Sequence, residues 1–203
     1  MAGFLRIFAG CRIAADERLD AVLDDFESRH PGFRCVRPGN LHVTICFLGE
    51  IPDEVAGDFA DCLTEQFVDV PEFDAAIGGP GGFPASGRAS IVWLSVTPTE
   101  TFTRLNARCV EAAEVLGLNT EERPFHPHLT IARMPARRRR WRRPAKPPAC
   151  ADIREFAEDW SNEPVSIQRI SSVTVFSSQL APGGSIYRPL REIPLASADP
   201  KSH

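Results

Sequence analysis

Two short segments of the chain share a histidine, a threonine and a preceding Arg-Pro pair. The first is Arg37-Pro38-x-x-x-His42-Val43-Thr44-Ile45, and it recurs 86 residues later as Arg123-Pro124-x-x-x-His128-Leu129-Thr130-Ile131. Chance seldom produces such a match in a chain with only five histidines. An internal repeat of this kind predicts two related halves whose equivalent side chains face one another.

Each segment has the alternation of a half-buried β-strand. Side chains on a strand point to opposite faces in turn, so His42 and Thr44 share one face and the apolar residues between them point into a core. His128 and Thr130 repeat the arrangement. Two such strands, related by a pseudo-twofold axis, would bring two imidazoles and two hydroxyls to one cleft.

This set of groups suits displacement at phosphorus. The ordinary pKa of histidine lies near neutrality, so one imidazole can accept a proton from attacking water while the other, protonated, donates to the departing ribose oxygen. The hydroxyls of Thr44 and Thr130 can donate to the non-bridging phosphoryl oxygens as charge develops there. Arg133, at the end of the second strand, can add a charge-assisted contact to the phosphate.

The elements that must position these residues follow from apolar spacing. Period-2 or continuous apolar runs predict strands over residues 4–13, 41–48, 73–77, 91–96, 129–132, 165–176 and 185–193. Apolar residues at helical spacing predict helices around 19–26, 55–67, 102–116 and 153–160. The glycine-rich stretch GGPGGFP after the third strand predicts a turn. The order gives two similar halves of mixed helix and strand.

Composition narrows the class of protein. With 203 residues and 43% hydrophobic content, the chain can bury a core as a single domain. Arg6 and Arg12 interrupt the first apolar stretch, so we expect neither a secretory signal nor a membrane span, and a cytoplasmic protein. The six cysteines contain no C-x-x-C pair, which favours reduced core thiols over a zinc site or a disulfide framework.

Positive charge is concentrated in one segment. Residues 134–150 contain six arginines and Lys146 without any acidic residue, although the whole chain has a net charge of −4. The arginines of residues 137–143 would either attract a phosphate backbone or form a solvated loop.

A family resemblance rests on specific stretches. NLHVTICFLGE at 40–50 and RPFHPHLTIAR at 123–133 carry the paired His-x-Thr motifs, and further similarity lies at 6–8, 91–93, 176–180 and 183–187. These residues resemble the two-histidine phosphoesterase superfamily, and within it the bacterial and archaeal RNA 2′,3′-cyclic phosphodiesterases once called 2′-5′ RNA ligases. The similarity covers nearly the whole chain.

The resemblance implies an α+β, bilobal duplicated fold: two antiparallel sheets with helices packed outside, a central cleft and pseudo-twofold symmetry. We expect one such domain over residues 1–195 and a loose tail over 196–203. The implied activity is metal-independent and cofactor-independent hydrolysis of RNA 2′,3′-cyclic phosphate ends to a 2′-phosphate, with minor reversible 2′-5′ ligation. The expected partner is RNA or a nucleoside cyclic phosphate, and the expected protein is a monomer without membrane association.

The same resemblance implies residue roles. His42 would protonate the 3′ oxygen and His128 would activate water, while Thr44, Thr130 and Arg133 would hold the phosphate. Phe8 would contribute to substrate binding by supporting the base.

Several residues keep two interpretations. His126 and His128 share a strand face and would form a metal pair, although no acidic or thiol ligand accompanies them at ligand spacing; otherwise His126 would orient its loop or its neighbour. Arg37 and Arg123 would contact substrate, or only enter a strand in the extended conformation that precedes proline. Tyr187 would reach the cleft or anchor a turn. Trp93 and Trp160 are expected in the core.

Two other functions stay open at this point. A nucleotide-binding or RNA-binding module would use the same cleft without turnover. Alternatively, a phosphodiesterase with the same chemistry would act on a smaller cyclic nucleotide, such as an ADP-ribose cyclic phosphate, or on a 2′-5′ oligonucleotide.

Overall fold

The computed structural model describes residues 3–84, 88–121, 123–135, 151–181 and 184–197. Its helices are α1 (Glu17–Arg29), α2 (Asp53–Phe67), α3 (Thr99–Val115) and α4 (Arg154–Asp159), with a 3-10 turn at Pro38–Asn40. Its strands are β1 (Phe4–Arg12), β2 (Arg34–Cys35), β3 (His42–Pro52), β4 (Phe73–Phe83), β5 (Arg88–Ala89), β6 (Ile91–Thr97), β7 (His128–Arg133), β8 (Ala151–Asp152), β9 (Pro164–Ile170), β10 (Ser172–Ala181) and β11 (Gly184–Pro194).

Antiparallel pairing joins most strands into one curved sheet in the order β11-β10-β1-β3-β7-β6-β4-β9, with β2 added on β7. The two motif strands, β3 and β7, are therefore the central neighbours. Between them a single registered pair is formed, Val43 opposite Leu129. Apart from β2, four strands lie on each side of this junction, so the sheet consists of two halves that meet where the motifs begin.

The helices cover one face of the sheet and build the core against it. Helices α2 and α3 pack on each other and on the β1–β3 half, while α1 and α4 contact β9 and β4 of the other half. Buried phenylalanines from all four helices fill the core, among them Phe26, Phe59, Phe102 and Phe156. Asn106 Nδ2 on α3 also donates to the Ile45 carbonyl of β3 at 2.7 Å. The opposite face of the sheet is left for the site.

The predicted α+β class, with an antiparallel sheet and helices packed on the outside, is confirmed. One detail differs, because the two expected sheets are joined through Val43 and Leu129 into a single sheet. The duplication behind the sequence repeat stays a prediction, as does the single domain over residues 1–195.

Three local predictions were wrong. The stretch GGPGGFP, up to Phe83, forms the second part of β4 instead of a turn. The strand expected over 165–176 is two strands, because the chain passes at Ser171 from β9, which pairs with β4, to β10, which pairs with β1 and β11. The expected tail begins later than 196, since the Ala196 N–H donates to the Val70 carbonyl at 2.7 Å and its carbonyl accepts from Glu72 N–H at 2.8 Å. Residues 198–203 of that tail lie outside the described residues.

Among the residues that the structure describes, no helix combines the length and the apolar character needed to cross a membrane.

Candidate active site

The pairing of β3 with β7 brings the two His-x-Thr motifs together. Since Val43 lies opposite Leu129 with both side chains fully buried, the pleat places His42, Thr44, His128 and Thr130 on the other face of the same strand pair. In this antiparallel register each histidine is opposite the threonine of the other strand, and the two histidines lie on a diagonal. The predicted convergence of the motifs is thus present in the structure.

His42 lies in an aromatic setting formed by its own half of the sheet. Its ring centroid is 4.9 Å from that of Phe8 and 5.0 Å from that of Tyr187. Gly10 lies beside it on β1, and a Cβ at this glycine would come within 3.5 Å of the imidazole carbon Cδ2. The imidazole Nδ1 is 2.6 Å from the Asn40 carbonyl oxygen.

His128 has an equivalent setting in the other half. Its ring centroid is 5.4 Å from that of Phe83 and 6.1 Å from that of Trp93. Its Nδ1 is 2.7 Å from the carbonyl oxygen of His126, again the residue two positions before it. A carbonyl only accepts, so in both histidines Nδ1 carries the hydrogen and Nε2 is the nitrogen available to a substrate.

The site is rich in positive charge. Burial lowers the pKa of His42, and the positive charges of Arg133, His128 and Arg12 lower it further, against the opposing effect of the Asn40 carbonyl. Burial likewise lowers the pKa of His128, with contributions from His126 and Arg133. A site of this kind favours an anionic ligand.

The phosphate-holding groups of the prediction lie at the same place. Arg133 Nη2 donates to Thr130 Oγ1 at 3.3 Å, so the guanidinium turns back toward the motif from the end of β7. Partial desolvation lowers the pKa of Arg133, while the Tyr187 phenol acts in the opposite direction. Thr44, half-buried on β3, completes the set.

The prediction that Phe8 supports the base was wrong. Phe8 is only 4% exposed and packs on His42, the expected acid, and not on His128, the expected base. Its other neighbours are Phe176 and Tyr187, at 4.9 and 5.1 Å between centroids. Phe8 therefore packs against the imidazole of His42. Because Phe8 is buried, it has little surface for substrate contact.

Sequence reasoning missed several residues of the cleft. Trp93, expected in the core, is half-buried on the cleft face of β6 opposite Thr130. Phe83 belonged to the stretch that was interpreted as a turn. Two interpretations were open for Tyr187, and its contact with His42 supports the one in which its side chain reaches the cleft. The missed signal is that Trp93 has the same alternation as the motif residues, with buried Val92 and Leu94 on either side.

The remaining candidates have no contact with the motif hydroxyls that the structure records, or lie outside the described residues. Arg37 is exposed and extended before Pro38, and Arg123 is exposed and paired with Glu121. Within the described ranges no three His, Cys, Asp or Glu side chains are grouped as they would be around a metal ion. His126 contributes its carbonyl to His128. The arginines of 137–143 lie outside the described residues.

Five cysteines of the described chain are free thiols, and Cys11, Cys46 and Cys109 are buried in the core as expected. Burial raises the pKa of Cys11 and Cys46 to about 12. These thiols are therefore protonated packing groups.

An antiparallel sheet whose two halves each present His-x-Thr to a common cleft defines a two-histidine phosphoesterase. A family model described as the 2′-5′ RNA ligase superfamily matches residues 15–175, and the chain belongs to this superfamily.

Individual relatives agree with this assignment. The chain is 31% identical over 175 residues to the RNA 2′,3′-cyclic phosphodiesterase of Archaeoglobus fulgidus, covering 86% of this chain and 90% of that protein. It is 32% identical over 173 residues to the protein of the same name from Thermus thermophilus, covering 81% and 76%.

Solved structures show the same fold. The crystal structure of TT0787 of Thermus thermophilus has a TM-score of 0.69 at 25% identity, covering 94% of this chain and 98% of that one. Escherichia coli LigT complexed with 3′-AMP has a TM-score of 0.68 at 23% identity, covering 95% and 99%.

Proposed function

We propose that this protein is an RNA 2′,3′-cyclic phosphodiesterase that hydrolyses a cyclic phosphate at an RNA end to a 2′-phosphate. The observation that carries the proposal is the pairing of β3 with β7, which sets both His-x-Thr motifs on one face. The name shared by the Archaeoglobus and Thermus relatives supports the choice of substrate.

The proposed reaction uses the two imidazoles as base and acid. His128 Nε2 accepts a proton from water as the water oxygen bonds to phosphorus. The P–O3′ bond breaks, and Nε2–H of a protonated His42 donates to the departing O3′. The phosphate stays on O2′, and exchange of protons with solvent returns both imidazoles to their initial states. The assignment of acid and base follows the family resemblance.

Thr44, Thr130 and Arg133 have the complementary task in this proposal. Their hydroxyls and guanidinium donate to the non-bridging oxygens, where negative charge grows as the water attacks. The hydrogen bond from Arg133 to Thr130 supports this role, because it holds both groups together at the mouth of the cleft. Phe8 and Tyr187 position His42.

The test is a product analysis on an oligoribonucleotide with a 2′,3′-cyclic phosphate end, with EDTA present, resolving 2′- from 3′-monoester by ³¹P NMR. We expect the 2′-monoester. His42→Ala and His128→Ala should each lower turnover by about 10² to 10⁴, and Thr44→Val, which keeps the shape of the side chain, should lower it less. Undiminished turnover in the double histidine variant, with its fold confirmed by circular dichroism, would exclude the mechanism.

The same experiment separates the alternatives. Binding of the cyclic-phosphate end without product would indicate the binding module. Turnover of an ADP-ribose cyclic phosphate or of a 2′-5′ oligonucleotide at a higher kcat/KM would indicate the smaller-substrate enzymes. Formation of a 2′-5′ linkage from a 2′,3′-cyclic phosphate end and a 5′-hydroxyl end, with the P–O3′ bond broken and O5′ taking the place of water, would measure the minor ligation.

We further propose a cytoplasmic protein, which the free thiols of the described chain support. Its monomeric state stays a prediction, for which sedimentation gives a direct measurement.

A further inference from the structure

Strand β1 presents four residues to the cleft. Ile7, Ala9 and Cys11 are fully buried in the core, so the alternate residues Arg6, Phe8, Gly10 and Arg12 lie on the site face. Arg12 is the last residue of β1 and is registered directly opposite His42 on β3. Its guanidinium carbon lies 5.1 Å from the centroid of the Phe176 ring. The positive charge of Arg12 therefore lies on the strand next to His42.

Arg12 has no carboxylate within ion-pair distance among the residues that the structure describes. Its guanidinium is exposed, and the pairing of Arg12 with His42 places this charge beside the site. Arg169, at the same end of the sheet, is different because it pairs with Glu72 and Asp74 at 2.8 and 3.2 Å. Of these two arginines, Arg12 is the one whose charge is left for a ligand.

A groove of about 520 Å³ begins at Arg12. Its lining includes Gly39 and Leu41, which come just before His42 in sequence, and Gln168, Ser171 and Ser172. Its size is in the range of sites for small molecules. The groove thus meets the site face of the sheet at Arg12 and has polar groups along its length.

We propose that this groove binds the phosphate one nucleoside to the 5′ side of the cyclic end, with the Arg12 guanidinium donating to that phosphate. The inference rests on the proposed function, in which the departing O3′, and hence the ribose, lies on the side of His42. From this ribose the 5′ continuation of the strand enters the groove that opens beside the histidine. The consequence is a preference for RNA ends, or 5′-phosphorylated nucleotides, over a bare nucleoside cyclic phosphate.

The test compares kcat/KM for adenosine 2′,3′-cyclic phosphate, its 5′-phosphorylated form and the dinucleotide ApA with a cyclic end. We expect the wild-type protein to prefer the second and third substrates. In Arg12→Gln the ratio of the dinucleotide value to the nucleoside value should fall about 10-fold, since a charge-assisted hydrogen bond is lost. A gain for the dinucleotide alone would mean that the site requires an internucleotide phosphodiester instead of a terminal phosphate.

Arg6→Gln is the matched control. Arg6 lies on the same strand and the same face, and its guanidinium carbon is also stacked on an aromatic ring, 4.7 Å from the centroid of Phe47. Its removal should leave the substrate ratio at the wild-type value. If Arg6→Gln lowers the ratio and Arg12→Gln does not, the strand leaves in the other direction and the proposal is overturned.

A second variant changes the ratio in the opposite direction. Glu192 is the acidic residue in the lining of the groove, where its Oε1 accepts from Ser172 Oγ at 2.8 Å. Because a carboxylate repels a phosphate, Glu192→Gln should raise the ratio. In addition, the slope of log kcat/KM against log salt for the dinucleotide should decrease by about 0.7 in Arg12→Gln, the loss of one single-strand phosphate contact.

The outcomes separate the two proposals. If no cyclic phosphate is hydrolysed by the wild-type protein, the proposed function fails. If the nucleoside cyclic phosphate is hydrolysed but the ratios are equal in wild type, Arg12→Gln and Glu192→Gln, only the groove assignment fails.

Discussion

The two histidines have the same local design. Each Nδ1 lies 2.6 to 2.7 Å from the carbonyl oxygen two residues earlier, and each ring is packed by aromatic rings of its own half. Both pKa values are lowered by burial and by neighbouring positive charge. In the free protein at neutral pH both imidazoles are therefore mainly neutral, which differs from the expectation of one neutral and one charged ring. A bound phosphate supplies the negative charge that favours protonation of one of them.

This arrangement predicts a difference between two pH profiles. The profile of kcat/KM reports the free protein, so both of its limbs should lie below the ordinary histidine pKa, and its optimum should be mildly acidic. The profile of kcat reports the complex with the anion, and its optimum should lie at higher pH. Arg133→Gln removes a charge that lowers both pKa values and should move both kcat/KM limbs to higher pH. Arg104→Gln, on the exposed side of α3, is the control, and unmoved limbs in Arg133→Gln would contradict the electrostatic argument.

Stability should depend on the same titration. The folded pKa of His42 lies below its unfolded value near 6.5. As the pH falls below 6.5 the unfolded chain takes up a proton first, so stability is lost until the folded pKa is reached. His42→Asn removes this loss, and the stability of wild type relative to the variant should therefore be lower at pH 5 than at pH 7.5 in urea unfolding. Thr44→Val, which removes no titrating group, should show the same difference at both pH values.

Much of the catalytic set was predictable at this scale because its members are adjacent in sequence. His42, Thr44, His128 and Thr130 follow from a local repeat and strand alternation. The rings around them come from other strands, and pairing between distant strands decides which ones meet. Tyr187 reaches His42 only because β11 pairs with β10 and β10 with β1.

At the scale of elements, the glycine-rich half of β4 shows why a turn was the wrong interpretation. Glycine is common in turns for its conformational freedom, but Gly81 is here for space. It is paired with Trp93 on β6, and a Cβ at this position would overlap the indole ring. The indole therefore lies across the strand, next to Phe83 and His128. The glycines are visible in the sequence, but only the register between β4 and β6 shows that Gly81 makes room for the Trp93 ring.

Replacing Gly81 by Ala should disturb both the strand and the site. The indole must shift, and overpacking of this kind costs about 1 to 3 kcal/mol in the free energy of unfolding. Since Trp93 contacts His126 and His128, turnover should fall as well. Gly57→Ala is the control, because Gly57 is exposed in helix α2 with no atom within 4 Å of an added Cβ, and should stabilise by about 0.5 to 1 kcal/mol. Equal stabilisation by both variants, measured by thermal unfolding, would refute the account of β4.

At the scale of the whole molecule, the site depends on how two half-sheets are held. They share one registered pair at Val43 and Leu129, so the strands alone fix their relative position weakly. The helices strengthen the junction, since α1 follows β1 in sequence but packs on β9, and α3 follows β6 but packs on β3. Each half-sheet is thus covered by a helix that follows, in sequence, a strand of the other half. This crossing of helices was not predictable from periodicity, which identifies an apolar face but not what covers it.

Leu129 is the residue at which the junction can be tested. It follows His128 on β7, pairs with Val43 on β3, and its side chain is fully buried. Leu129→Ala should cost about 2 to 5 kcal/mol in the free energy of unfolding through the cavity it leaves. Leu63→Ala in helix α2, which is fully buried, removes the same atoms from the core of one half and should cost a similar amount. Turnover should nevertheless differ at a temperature where both variants are folded. A shift of the halves by about 1 Å moves one imidazole relative to the other and lowers turnover on the order of 10²-fold. The kcat of Leu129→Ala should therefore be lower than that of the control variant. Equal kcat values in the two variants would mean that the half-sheets are positioned by the helical core and that the pairing of the motif strands is not what sets the geometry of the site.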